Sequence, residues 1–143
     1  LPADAPRPED FEAWYFCDNE KDADELAALV LAGTKTATAS LGWVYDAEGE
    51  ALPQPGDLSV IINWAGEPQC IIKTTEVREL PFNEVDPQFA ADEGEGDRSL
   101  EFWRRVHWEF FSRECAEIDR TPTESMPVIC ERFRVVFDGS LRP

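Results

Sequence analysis

The segment Gly33-Thr34-Lys35-Thr36-Ala37-Thr38-Ala39-Ser40 places one lysine at the head of an alternating row of hydroxyls and methyls. If a strand begins near Thr36, then Thr36, Thr38 and Ser40 share one face, and Ala37 and Ala39 share the other. Small residues on one side suit close packing. Hydroxyls on the other suit a polar cavity, and Lys35 is placed to swing its ammonium over that cavity. A plainer origin exists for each part. A lysine near a helix C-terminus is favoured by the helix dipole, and threonine is common in strands.

The elements around this segment follow from periodicity. Asp22 to Leu31 reads as a helix capped by Asp22 or Asp24, with Leu26, Leu29 and Val30 as its apolar stripe and Gly33 as its stop. Thr36 to Tyr45 reads as a strand. Asp46 to Gly56 is a loop. Leu58 to Trp64 and Gln69 to Leu80 read as a hairpin closed at Ala65-Gly66-Glu67-Pro68. Pro81 to Asp97 reads as an irregular acidic stretch. Ser99 to Glu114 is the clearest helix, and Val128 to Phe137 a final strand. Residues 1–10 form a Pro-rich acidic arm and 11–143 one domain. The fold class is α+β: a small, mixed, mostly antiparallel barrel-like sheet flanked by two main helices.

Composition narrows the partners. The chain has 143 residues, with 30 acidic and 13 basic side chains and a formal charge of −17. A surface this negative repels phosphate backbones at long range and argues against long nucleic acid, DNA in particular. No apolar run is long enough to cross a membrane and no secretory leader is evident, which points to the cytoplasm. Cys17, Cys70, Cys115 and Cys130 lack metal-ligand spacing and read as reduced, buried thiols, with one or two disulfides as the alternative. The single histidine, His107, falls on the apolar side of its helix. Without a second histidine or a cysteine pair, no zinc site is expected and no cofactor is implied, although carboxylates such as the alternating Glu93, Glu95 and Asp97 could hold Mg²⁺ or Mn²⁺ loosely without EF-hand spacing. Trp14, Tyr15 and Phe16, with Trp43, could wall a pocket by stacking or could simply fill the core. Arg132 and Arg134 share a strand face, where pairing with acids is the common fate.

Gly33-Thr34-Lys35-Thr36-Ala37-Thr38 resembles the G-x-K-x-x-T signature of the ASCH family, whose domains have a PUA-like β-barrel. The segments EAWYF, ADELAALVLAG, PGDLSVII and EGEGDRSLEFWRRVHWEFF extend the resemblance over nearly the whole chain. The basic residue that often ends the signature is Ser40 here. The resemblance implies two kinds of activity. One is amide hydrolysis on N4-acylated cytosine nucleosides by a Thr, a Lys and a Glu. By motif these are Thr38 as nucleophile, Lys35 as base and Glu93 as its orienting partner, with Glu95 as the alternate. The other is RNA or modified-nucleotide binding without catalysis, or metal-assisted RNA cleavage, on the same pocket. The substrate-contacting set is then Trp14, Phe16, Thr36, Ser40, Trp43, Glu95 and His107. The expected partner is a small nucleoside, with RNA the alternative.

The physical case for the trio is coherent. A threonine hydroxyl is a weak nucleophile without a base. Desolvation weakens an ammonium's hold on its proton, whereas a neighbouring carboxylate strengthens it. Lysine as base and lysine as fixed cation therefore both stand. The developing oxyanion needs donors, for which the backbone N–H groups near Lys35 to Thr38 or the Ser40 hydroxyl are available.

Overall fold

A computed structural model describes residues 12–14 and 20–137. The N-terminal arm, Tyr15, Phe16 and Cys17 lie outside the described residues, as does the side chain of Trp14. Among the described residues the fold is α+β, with one curled, half-barrel sheet and four α-helices. The strands are β1 (Glu12–Trp14), β2 (Ala37–Leu41), β3 (Leu58–Ile62), β4 (Pro68–Pro81) and β5 (Pro127–Phe137). The helices are α1 (Glu20–Leu31), α2 (Gly42–Glu48), α3 (Pro87–Glu93) and α4 (Leu100–Glu117). The strand order is β1-β3-β4-β5-β2. β1 runs parallel to β3 and every other pairing is antiparallel, as the expected mixed sheet requires. Among the described residues the edge strands β1 and β2 do not pair with each other, so the sheet curls without closing. No helix among them is long and apolar enough to cross a membrane.

Local chemistry sets the path into the site. Glu20 and Asp22 lie in the first turn of α1, where the helix dipole favours anions. Ala23, Leu26, Ala27 and Val30 form its buried stripe. Gly33 then takes φ 78°. Its N–H donates to the Val30 carbonyl at 3.1 Å, and the Thr34 N–H donates to the Leu29 carbonyl at 3.0 Å. This double closure ends the helix and turns the chain inward, so Lys35 is delivered into the interior.

α4 starts at Ser99, whose hydroxyl accepts from the Phe102 N–H at 3.1 Å. Trp103, His107, Phe111 and Cys115 form its buried face. One core lies between that face, α3 and the sheet, around Phe82, Phe89, Trp103, Phe111, Met126 and Val128. A second lies under α1, around Leu26, Val30, Ile61, Ile72 and Phe133. Cys70, Cys115 and Cys130 are buried, and burial pushes the Cys130 thiol up to about 12.

Two expectations need correction. The strand that begins near Thr36 stops at Leu41, and Trp43 to Tyr45 belong to α2. Gly42 causes the switch: a Cβ there would stand 3.2 Å from the Pro127 side chain, so the bare backbone lets the chain turn against β5. The acidic stretch 81–97 is also not irregular throughout. It contains α3, capped by Asp86, whose Oδ1 accepts from the Phe89 N–H at 2.7 Å, with Pro87 at its first turn. Asp86-Pro87 carried that signal in the sequence.

Candidate functional site

α3 ends at Gly94, with φ 74°, and this ending places Glu93 and Glu95 beside Lys35. Lys35 is 2% exposed and Glu93 1%. The Lys35 ammonium donates to the Ala37 carbonyl at 2.8 Å, to Glu95 Oε2 at 3.2 Å and to the Glu93 carbonyl at 3.4 Å. Glu93 Oε2 lies 3.7 Å from the same nitrogen. His107 comes from α4. Its Nδ1 lies 2.9 Å from the Trp103 carbonyl oxygen, and its Nε2 lies 3.2 Å from Glu93 Oε2. A carbonyl can only accept, so Nδ1 carries a proton and Nε2 is the nitrogen that meets Glu93. The Trp103 ring stacks on the imidazole at 4.3 Å between centroids and holds it in this orientation.

The charges of this cluster follow from its neighbours. Burial opposes ionisation of Glu93, but Lys35 and His107 outweigh it and hold its carboxyl well below the usual carboxylate range. Burial likewise opposes charge on His107, but Glu93 outweighs it and raises the imidazole above its ordinary value. Glu95 ends on the other side. Burial, only partly offset by Lys35 and reinforced by Glu93, pushes it up to about 7. The second oxygen of Glu93, Oε1, is buried with no hydrogen-bond partner among the described groups.

Glu93, Glu95 and His107 also bring ligand atoms within 4.8 Å of one another, as a metal site would. The Lys35 ammonium already lies against both carboxylates and supplies the positive charge that such a cluster needs. Lys35 therefore competes with any cation for these two carboxylates.

Lys35, Glu93, Glu95 and His107 line a cavity of about 980 Å³. Thr38, Ser40, Tyr45, Thr74 and Glu131 line it from the sheet and α2. Thr38 pairs directly across from Glu131 in the β2–β5 ladder. Glu131 is 7% exposed, and its Oε2 accepts from the Thr74 hydroxyl at 2.5 Å. The Ser40 and Tyr45 hydroxyls meet at 2.9 Å. Glu50, Asp57 and Glu114 add further carboxylates to the wall.

The cavity thus brings together Lys35, Thr38, Ser40, Glu93, Glu95 and His107. Two other residues expected at a substrate site stand apart from it. Thr36 is exposed and its hydroxyl meets the Asp92 carbonyl at 3.4 Å, because its position precedes the strand. Trp43 rides on α2 and packs against the core, with the Arg120 guanidinium 4.7 Å above its ring. Trp14 and Phe16 lie outside what is described of side chains. Backbone donors for an oxyanion are reduced as well: the Lys35 and Thr36 N–H groups go to the Leu29 and Asp92 carbonyls at 3.1 and 2.8 Å. Arg132 pairs with Asp92 and Glu76 rather than facing the cavity.

Sequence reasoning missed Glu131, Thr74 and Tyr45. Glu131 had a signal, since it shares a strand face with Ile129 and Phe133, both buried, so a charge there had to point inward. Thr74 follows Cys70 and Ile72 at the same period. Tyr45 was hidden by reading α2 as strand.

The comparisons with known proteins bear on the family and the fold. No curated protein matches the chain. A crystal structure of an ASCH domain from Lactobacillus crispatus JV V101 is similar at 44% identity and TM-score 0.84, covering 90% of this chain and 83% of that one. The structure of protein EF3133 from Enterococcus faecalis V583 is similar at 34% identity and TM-score 0.84, covering 90% and 78%. The hypothetical protein PH0355, at 20% identity and TM-score 0.57, covers 88% and 98% and shares the fold alone. The ASCH domain model matches residues 12–137, and the chain belongs to the ASCH domain family.

Proposed function

We propose that this protein hydrolyses the acyl amide of N4-acylated cytosine nucleosides, using a PUA-like half-barrel as the frame. The observation that carries the reading is that Lys35, Thr38 and Glu93 line one cavity, although 55 positions separate Thr38 from Glu93 in the chain. Thr38 acts as the nucleophile on the acyl carbon. Lys35 is the fixed cation beside it, because every N–H of an ammonium finds an acceptor there. Its charge favours the oxyanion that develops on the acyl oxygen. Glu93 and His107 lock Lys35 in place.

The cavity wall supports a substrate without phosphate. Glu50, Asp57, Glu114 and Glu131 join Glu93 and Glu95 against Lys35 and His107. That balance argues against a reader of RNA or nucleotides on the same pocket.

The test is incubation with N4-acetylcytidine while the absorbance of the acylated base is followed. Turnover should be lost in Thr38→Ala with the fold intact by circular dichroism. Equal rates for the two proteins would overturn the proposal.

A further inference from the structure

We propose that Glu95, rather than Lys35, is the group that takes the proton from the Thr38 hydroxyl and delivers it to the leaving nitrogen. The inference rests on the amide-hydrolase reading and assigns a step that reading leaves open.

The argument is by donors and acceptors. A base needs a lone pair that faces the reacting hydroxyl. Lys35 Nζ is surrounded by oxygens: the Ala37 carbonyl at 2.8 Å, Glu95 Oε2 at 3.2 Å and the Glu93 carbonyl at 3.4 Å. Each of its hydrogens has an acceptor, and a neutral amine would turn its lone pair onto one of them. His107 is no better placed. Nδ1 is committed to the Trp103 carbonyl, and Nε2 meets an ionised Glu93, so both nitrogens carry protons. Glu93 is the least basic carboxyl of the group, since Lys35 and His107 stabilise its charge.

Glu95 remains. It sits between Gly94 and Gly96, both at positive φ, on the short loop that leaves α3. Its side chain is 19% exposed, whereas Glu93 is 1% exposed, so protons can reach it from solvent. It lines the cavity with Thr38. The charged and titratable groups that face it are Lys35 from the α1–β2 link, Glu93 from the end of α3 and His107 from α4. Glu131 of β5, the cross-strand partner of Thr38, lines the same cavity. Burial and Glu93 raise its proton affinity into the range where one carboxyl can both accept and donate near neutrality.

The step balances as follows. The Thr38 oxygen bonds to the acyl carbon as its proton passes to Glu95 and the carbonyl pair moves onto oxygen. The C–N bond then breaks, and the Glu95 proton goes to the N4 nitrogen, which leaves as the amine. Water next attacks the acyl-threonine ester, giving its proton to Glu95. The ester C–O bond breaks, the proton returns to the Thr38 oxygen, and the carboxylic acid departs.

Steady-state kinetics on N4-acetylcytidine for wild type, Glu95→Gln and Glu131→Gln, from pH 5 to 9, test this. The wild-type rate should rise with pH through a midpoint near neutrality. Glu95→Gln should lower kcat by roughly 100-fold or more with little change in KM, and should lose that rise. If wild type turns over and Glu95→Gln keeps both its kcat and the rise, the assignment to Glu95 is wrong and the hydrolase reading stands. If only Glu131→Gln removes the rise, the proton goes to the cross-strand partner of Thr38 instead. If wild type shows no turnover above Thr38→Ala, both readings fall together.

Discussion

Gly94 lies so close to Thr34 that a Cβ added to it would stand 2.6 Å from the Thr34 carbonyl oxygen. Its φ of 74° also falls where an L side chain is strained. This backbone contact fixes the distance between the two halves of the site. Thr34 and Lys35 come from the end of α1, and Glu93 and Glu95 flank Gly94 at the end of α3. Their separation is set by main chain rather than by flexible side chains.

Gly94→Ala should therefore damage function beyond its effect on folding. The backbone must move to relieve the clash, which displaces both carboxylates from Lys35. Gly33→Ala is the matched control: its φ is 78°, but nothing lies within 4 Å of the added Cβ. Gly33→Ala should cost about 1–2 kcal/mol of stability from the left-handed backbone alone, with turnover nearly intact. Gly94→Ala should cost more and lose most of its turnover. Urea denaturation and kcat on the two variants decide it. Equal losses in both would show that the close approach does not matter.

Lys35→Met tests the buried charge cluster. Removing the ammonium leaves Glu93 ionised next to His107 alone, and exposes Glu95 to an unscreened like charge. Breaking a buried pair by deleting one partner costs about 3–5 kcal/mol. Met fills the space, so the loss reflects charge rather than a cavity. Lys35→Met combined with Glu93→Gln should recover part of that stability without recovering turnover. A double variant no more stable than the single would count against the pairing.

Much of this frame is legible in the sequence, and the parts that are not have physical reasons. Gly33 could be read as a helix stop because its place after an apolar stripe is a local signal. Ser99 could be read as a helix start for the same reason. Thr38 and Ser40 fell on one strand face from period alone. The end of that strand did not, because Gly42 turns only where Pro127 packs against it, and that contact is distant in sequence. The partnership of Lys35 with Glu93 and Glu95 came from family resemblance, not from periodicity. Nothing local states that α3 ends against Thr34. The sidedness of β5 was half visible: Arg132 and Arg134 attract attention as cations, yet Glu131, on the buried face, is the residue that reaches the cavity.

Thr74→Val should destabilise the sheet side of the cavity. The Thr74 hydroxyl is buried and donates to Glu131 Oε2 at 2.5 Å. Leaving a buried acceptor without its donor costs about 1–3 kcal/mol, and valine preserves the shape while removing the donor. Thermal and urea unfolding should show a loss of that size at neutral pH. The loss should shrink in a Glu131→Leu background, where the acceptor is absent. An undiminished loss there would assign the effect to packing.

Stability should depend on pH in opposite directions on the two sides of pH 4.5. The Glu93 carboxyl is depressed in the folded state, so its contribution is present above its unfolded value of 4.5 and is lost as pH falls below it. Glu95 is raised from 4.5 to about 7, so the folded state holds that proton more tightly. Its contribution is fully present below 4.5 and is lost as pH rises through 7. His107 is raised from 6.5, so it too stabilises below that value and loses its contribution as pH climbs past its folded one. The formal charge of −17 adds self-repulsion in the same direction. Tm should therefore peak in mild acid and fall toward pH 8. Glu95→Gln should flatten the fall between pH 4.5 and 7 while leaving the acid limb. A variant that falls as steeply as wild type would show that Glu95 is not held protonated by the fold.

Substrate charge gives the last measurement. A 5′-phosphate on the nucleoside would enter a cavity whose wall carries Asp57, Glu114 and Glu131 beyond the Lys35 cluster. Asp57 is exposed and screened by salt, whereas Glu131 is buried and screened much less. At an effective dielectric near 20, a phosphate some 8 Å from one carboxylate is opposed by about 2 kcal/mol, more than tenfold in binding. The kcat/KM for N4-acetylcytidine should accordingly exceed that for its 5′-monophosphate by at least about tenfold. Glu131→Gln lies nearest Thr38 in the ladder and should narrow that ratio through KM for the phosphate. A monophosphate used as well as the nucleoside would place the sugar's 5′ end outside the cavity and free the acidic wall for the acyl group instead.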